Sequence, residues 1–414
     1  LLRFDGPAKG YWDTYITAPA MFMNGDPIEF TKEGKALYPI ELEGILPKDL
    51  KNTETYGIIS KDQRIGAGIT SSVPYASFGI LGFRMLFALC ISLLIPMTVL
   101  IMRRLRPEAY WAGLLAGIAL AWNPFVLSVD RLNANLLVLP LILLLLDLCL
   151  RREVPWIWVG VTLGLIAGLR NAAICFVPAL TIWAIWGVSA TDWRERIGRL
   201  FKIGAMTLVM MVPIFIWKQY AFGDPFIHSS QYPHFQGFRP EFAHSLLGLE
   251  FQFNGLFNWP LHDELVRTPH FAYPTYLLFP LVTLRAFGWL LCAVMLFGFI
   301  RQWRSERKQA VFLSLWCLGV YALFGPQENW EEVKMTFMLL AYPPIIVWLA
   351  LGLHAFIEGV DRPRRLAVLG LLSLWLVLSI KLATFIDVPV DQRWYVRLAM
   401  PAAWQASVRL MPED

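Results

Sequence analysis

An arginine stands about two turns inside the first strongly apolar stretch of this chain, in Gly82-Phe83-Arg84-Met85-Leu86. A guanidinium in hydrocarbon costs about 3 kcal/mol or more unless an anion or the headgroup layer meets it. Arg84 therefore either holds a lipid phosphate or snorkels to the nearby outer headgroups. Ahead of it, Phe4-Asp5-Gly6 places a carboxylate on what the charge pattern makes the same side of the membrane. A positioned carboxylate can take the proton of an attacking hydroxyl. A guanidinium fork can hold a phosphate through two parallel hydrogen bonds. Together, such groups suit the displacement of a phosphate leaving group. Taken singly, Asp5 reads equally as an ordinary loop carboxylate.

The elements that must position these groups are membrane helices. Of the 414 residues, 57% are hydrophobic and 16% charged, where soluble domains average about 25% charged. The net charge of +5 is modest and its basic residues sit in short loops, which offers no face for nucleic acid. Cys90, Cys149, Cys175, Cys292 and Cys317 all fall in apolar stretches and read as packing residues. Apolar stretches at 78–102, 108–126, 134–150, 155–169, 172–188, 203–221, 285–300, 309–325, 335–357 and 366–386 predict an all-α, multi-span membrane bundle of about ten spans. Basic clusters recur at every second connection: Arg103 to Arg106, Arg151-Arg152, Arg194 to Lys202, Arg301 to Lys308 and Arg362 to Arg365. The positive-inside rule makes these five cytoplasmic.

Residues 1–77 are then a first external segment, 222–284 a large external loop and 387–414 an external tail. The spans of 78–221 and 285–386 lie between them. Because the chain opens on Leu1 in polar sequence, an eleventh helix ahead of it is expected to bring the chain out from the cytoplasm. Within 1–77, Tyr11, Trp12, Tyr15, Ile16 and Phe22 give residues 8–23 an aromatic face, predicting a helix lying at the interface. Five of the six histidines fall in 222–284 without the spacing of a metal motif, so no metal or divalent cation is expected.

Further polar positions punctuate the spans. Asn123-Pro124 leads to Asp130-Arg131; Gly164-Leu165-Ile166-Ala167-Gly168-Leu169 ends in Arg170; Phe222-Gly223-Asp224-Pro225 opens the large loop; Lys334-Met335-Thr336-Phe337 leads into Tyr342-Pro343-Pro344. Each has a plain alternative. Asp130 and Arg131 can form a local ion pair, Arg170 can be an interfacial anchor, and Lys334 can balance Glu331 and Glu332. Asp147 stands four residues before Arg151 on the cytoplasmic side, a natural helical ion pair, and is set aside as structural.

The order and sidedness of these features resemble the membrane glycosyltransferases of the GT-C fold, in the branch of bacterial aminoarabinose transferases and protein mannosyltransferases. The resemblance implies transfer of a sugar from a polyprenyl-phosphate donor to a glycan, lipid or protein acceptor; no cofactor is expected, while relatives elsewhere in the fold that use a divalent ion with acidic ligands leave that role open to Asp5 and Asp130. It implies Asp5 as catalytic base and Asp130 as a second acid. It also implies Arg84, Arg170, Lys334 and Arg131 as holders of the lipid phosphate. The site would face the periplasm from a bacterial inner membrane. Where such enzymes often carry two adjacent acids, this chain has Asp5-Gly6. Two other functions fit the same features: a non-catalytic scaffold subunit of a larger membrane complex, and a polymerase or transporter of lipid-linked glycans.

Overall fold

A computed structural model of the chain describes residues 65–121, 126, 134–169, 171–189, 192–222, 275–324, 339–358 and 370. Among the described residues there are helices and no strand. Helix α1 runs Ile65–Leu105, and a 3-10 turn at Pro107–Ala109 leads into α2, Tyr110–Ala121. Then come α3 (Ala134–Cys149), α4 (Trp156–Leu169), α5 (Val177–Ile182) and α6 (Trp193–Phe222). The last three are α7 (Thr275–Ser305), α8 (Arg307–Phe324) and α9 (Tyr342–Ile357). Helix thus occupies nine of the ten predicted stretches; the tenth, 366–386, lies outside the described residues apart from Gly370. So do the predicted helix over 8–23 and the tail 387–414.

Several boundaries differ from the apolar stretches. α1 begins at Ile65 and α7 at Thr275, each well ahead of its stretch, so helix reaches into both segments expected to be external. The stretch 172–188 is not one regular helix. It is a 3-10 segment at Asn171–Phe176, then α5, then a π turn at Trp183–Gly187. Pro178 lacks an amide proton and fits only the first turn of a helix, which is where α5 starts. Pro343 and Pro344 do the same for α9, whose helix opens at Tyr342 and not at 335.

Among the described residues, two helices are long and apolar enough to cross a membrane by themselves, Met85–Leu105 and Trp193–Ile216. Their packing shows which solvent surrounds them. On α1 the buried residues Phe87, Ile91, Leu94, Thr98 and Ile101 recur every three or four positions, as one helical face must. The opposite face carries exposed Met85, Leu89, Leu93 and Leu100, as apolar as the buried one. On α6, Phe201, Leu208 and Ile216 are 73%, 62% and 64% exposed. Apolar surface of this extent is incompatible with water and suited to lipid. The chain is a helical membrane protein.

Lipid tails are as apolar as leucine, so close packing must hold the helices together. Gly160, Gly164 and Gly168 recur every fourth residue and lie on the face of α4 that α6 covers. A Cβ on Gly160 would stand 2.6 Å from the Ile203 carbonyl oxygen, and one on Gly168 would stand 2.7 Å from Ile214 Cδ1. Gly298 of α7 and Gly352 of α9 approach each other's helix backbone in the same way, against Trp348 and Val294. Thr207 Oγ1 adds a polar link from α6 to the Gly160 carbonyl at 3.1 Å.

Candidate functional site

Helix α1 carries Arg84, whose side chain lies outside the described residues. Its backbone position is informative. Arg84 is 21 residues from Leu105, the end of α1 where Arg103 and Arg104 stand, which at 1.5 Å per residue is about 30 Å. That length is comparable with the hydrocarbon thickness of a bilayer. Asp5, Asp130, Arg131, Arg170 and Lys334 lie outside the described residues. The helices next to them in sequence are described, and they form one block. α3, which follows Asp130 and Arg131, packs on α1; α4, which ends at Leu169 just before Arg170, packs on α1 and α3; α9, which follows Lys334, packs on α1, α2 and α3. At the start of α9, Tyr342 is fully buried with its ring 5.1 Å from that of Phe287. Its hydroxyl has no hydrogen-bond partner among the described residues.

The opposite end of the bundle is described in atomic detail. Four of the five basic clusters meet there. Asp147 is buried and accepts from Arg104 and, at 3.0 Å, from Arg151 four residues on, joining the first cluster to the second. Arg106 pairs with Glu306 at 3.0 Å, joining the first to the fourth. Arg199 of the third cluster stacks 5.5 Å from the centroid of Trp156, just after the second. Arg301 pairs with Glu358 at 2.5 Å, four residues short of the fifth cluster. The ion pair expected of Asp147 and Arg151 is present, with Arg104 as a further partner.

A small crevice opens between the ends of α1, α7 and α9, lined by Arg106, Arg301, Gln302, Glu306 and His354 among others. Gln302 is buried and accepts from Trp348 Nε1 at 2.9 Å. His354 Nε2 lies 3.9 Å from Glu108, while its Nδ1 is buried without a hydrogen-bond partner among the described residues. The hydrogen bond from Arg301, then its charge, holds the Glu358 carboxyl below the usual carboxylate range. With Asp147, Glu306 and Glu358 committed to arginines, this end is built as a lock between helices and not as acid–base machinery.

Two working parts of the bundle are absent from the predicted site residues. Arg199 is 4% exposed and donates to the carbonyls of Ala184 at 3.1 Å, Val188 at 2.9 Å and Ser189, and to Glu195 at 2.6 Å. It closes off the carbonyls at the end of the π turn, which a helix terminus otherwise leaves bare. The available signal was Glu195 four residues before it. The second part is the glycine stripe of α4, two of whose three glycines, Gly164 and Gly168, fall within the signature that ends in Arg170. Its signal was the four-residue recurrence of a small residue.

No protein-family model matches the chain, and no curated protein matches it in sequence. Its fold is similar to that of ArnT from Cupriavidus metallidurans bound to undecaprenyl phosphate, with a TM-score of 0.50 and 15% identity over 90% of this chain and 59% of ArnT. ArnT in the apo state gives a TM-score of 0.48 and 16% identity over 87% of this chain and 57% of that one. The chain therefore spans about three fifths of the length of the protein it matches. At this identity the likeness is one of architecture: it supports the GT-C fold and does not extend to a branch within it.

Proposed function

We propose that this chain is a multi-pass membrane glycosyltransferase, moving a sugar from a polyprenyl-phosphate donor to an acceptor at the periplasmic face of a bacterial inner membrane. The observation that carries the reading is the likeness of its fold to ArnT, a protein crystallised with undecaprenyl phosphate. A second supports the sidedness. Four basic clusters are tied together at one end of the bundle, and Arg84 stands about 30 Å from that end along α1. On this reading the basic end is cytoplasmic and Arg84 lies at the depth of phosphate headgroups in the outer leaflet.

The chemistry follows from the residue types. Asp5 accepts the acceptor hydroxyl's proton as its oxygen bonds to the anomeric carbon. The bond from that carbon to the phosphate oxygen breaks, the lipid phosphate leaves with the electron pair, and the configuration inverts. Arg84 and Arg170 hold the phosphate, with Lys334 and Arg131 adding positive charge. Asp130 is the second acid. Fixed cations facing developing charge in a water-poor site supply several kcal/mol of the barrier reduction.

The test is transfer from a pool of labelled polyprenyl-phosphate sugars by the purified chain. Asp5→Asn keeps the shape and removes the base, so turnover should fall by about 10²- to 10⁴-fold while donor binding survives. Arg84→Ala should weaken donor binding as well as rate. Near-normal transfer by Asp5→Asn would move the base to Asp130. A wild-type chain that transfers nothing from any such pool would overturn the reading in favour of the scaffold or of the polymerase or transporter.

A further inference from the structure

We infer that the turn between α7 and α8 is a binding site for the headgroup of an anionic phospholipid, separate from the donor site and independent of the catalytic reading. Ser305 ends α7 and Arg307 opens α8, and the turn carries Arg304, Arg307 and Lys308 beside a single carboxylate, Glu306. That carboxylate is taken by Arg106 at 3.0 Å. The three cations are exposed and form no ion pair among the described residues. Arg104, Arg106, Arg151, Arg199 and Arg301 each have a carboxylate partner. Among the described residues Arg103, Arg152, Arg194 and Lys202 also lack one, but none of these four stands over an indole ring.

Two of the three are held in place by indole rings. The Arg307 guanidinium lies 5.4 Å from the centroid of Trp303, and the Lys308 ammonium 5.7 Å from that of Trp186. A cation over an aromatic face is attracted by the ring quadrupole and keeps donors free for a second partner. The rings themselves are 39% and 44% exposed, as tryptophans at a membrane interface are. The arrangement offers two neighbouring cations above two apolar ledges.

The adjoining surface of α7 identifies the occupant as a lipid and not a free anion. Phe297, Ile300 and Arg304, spaced three and then four apart, share one helical face. Phe297 and Ile300 are 42% and 39% exposed. An acyl chain laid along Phe297 and Ile300 brings its phosphate to Arg304 and Arg307 at the turn. A zwitterionic headgroup carries its own cation, which three unpaired basic side chains repel, so the complementary headgroup has net negative charge.

The full chain, purified in a neutral detergent, is titrated with phosphatidylglycerol and with phosphatidylcholine of the same acyl chains, and bound lipid is counted by native mass spectrometry. Phosphatidylglycerol should bind more tightly. Arg307→Gln with Lys308→Gln should weaken it about 25-fold, taking about fivefold per surface cation, and leave phosphatidylcholine unchanged. Arg103→Gln with Arg152→Gln removes the same charge from other connections at this end and should cost less than fivefold. Equal losses in the two double variants, or no preference for phosphatidylglycerol in the wild type, would overturn the assignment. Competition by inorganic phosphate as effective as that by the lipid would reduce it to a simple anion site and overturn it too. If the double variant does not fold, Lys308→Gln alone should show the fivefold loss.

Discussion

Replacing Gly164 by alanine adds one methyl group to the face of α4 that α6 covers. The new carbon would stand 2.6 Å from Met210 Cβ, 2.9 Å from the Thr207 carbonyl oxygen and 3.1 Å from Thr207 Cα. Carbon atoms in contact rest about 3.5–4.0 Å apart, so relief requires a shift of about 1 Å. Rotation of a side chain cannot supply it. Met210 Cβ is fixed to its backbone, and the Thr207 atoms are backbone, so α6 itself must move. Overpacking of this kind typically costs about 1–3 kcal/mol. The same shift stretches the contact from Thr207 Oγ1 to the Gly160 carbonyl, now 3.1 Å. That hydroxyl has one proton and also lies 2.8 Å from the Ile203 carbonyl, so the loss adds about 0.6 kcal/mol, the mean for such bonds between membrane helices. Gly164→Ala should therefore destabilise the chain by about 2 kcal/mol, and Thr207→Val by less than about 1 kcal/mol. Leu165→Ala, one residue on and exposed to lipid, should be within about 0.5 kcal/mol of wild type. The assay is reversible unfolding in mixed micelles. Wild-type stability in Gly164→Ala would refute the reasoning, because it requires α6 to stand off from α4.

Other expectations concern the basic end. Arg199→Lys keeps the charge but loses the fork that reaches Ala184, Val188 and Ser189 together; thermal unfolding should show a loss of about 2 kcal/mol, and unchanged stability would mean that charge alone suffices. The Glu358 carboxyl is held below its ordinary value of 4.5 by Arg301. Its stabilisation is then complete above that value and is lost as pH falls through the lowered folded-state pKa. The unfolding midpoint should drop on acidification below 4.5, and Glu358→Gln should flatten that part of the profile; an identical acid limb in the variant would assign the drop to other carboxylates.

Helix positions were legible because they follow from quantities that add along the chain. Length and apolarity locate α1 and α6, but the stretch 335–357 overran the start of α9, which Pro343 and Pro344 set at Tyr342, where an absent amide proton is harmless. The pairing of Asp147 with Arg151 is set by helical spacing. The joining of Arg104 to the same carboxylate, across 43 positions, follows from how α1 and α3 pack and leaves no mark in either segment. The broken course of 171–187 was hidden for a related reason. Its composition is uniformly apolar, and a 3-10 or π turn is tolerated there because neighbours satisfy the backbone, Arg199 at one end among them.

The Gly164 to Arg170 signature shows how one run of sequence can hold two kinds of information. Its resemblance points to the arginine, as a holder of phosphate. Its geometry points to the glycines, which let α6 approach α4 as far as Gly168, two residues before Arg170. On the proposed function these uses are coupled. Gly168 is buried against Ile214, and Leu169 is 8% exposed, so the helix end next to position 170 is a packed anchor. A substitution that pushes α6 away shifts the wall against which that anchor packs, by about 1 Å for a methyl group at Gly164. A misplacement of 1 Å can cost about 10² in rate when it disturbs a reacting geometry. On the proposed function, Gly164→Ala should therefore depress transfer at temperatures where it is still folded, with donor affinity and turnover both affected. Stability lost with transfer intact would separate the two uses and leave the glycines to packing alone.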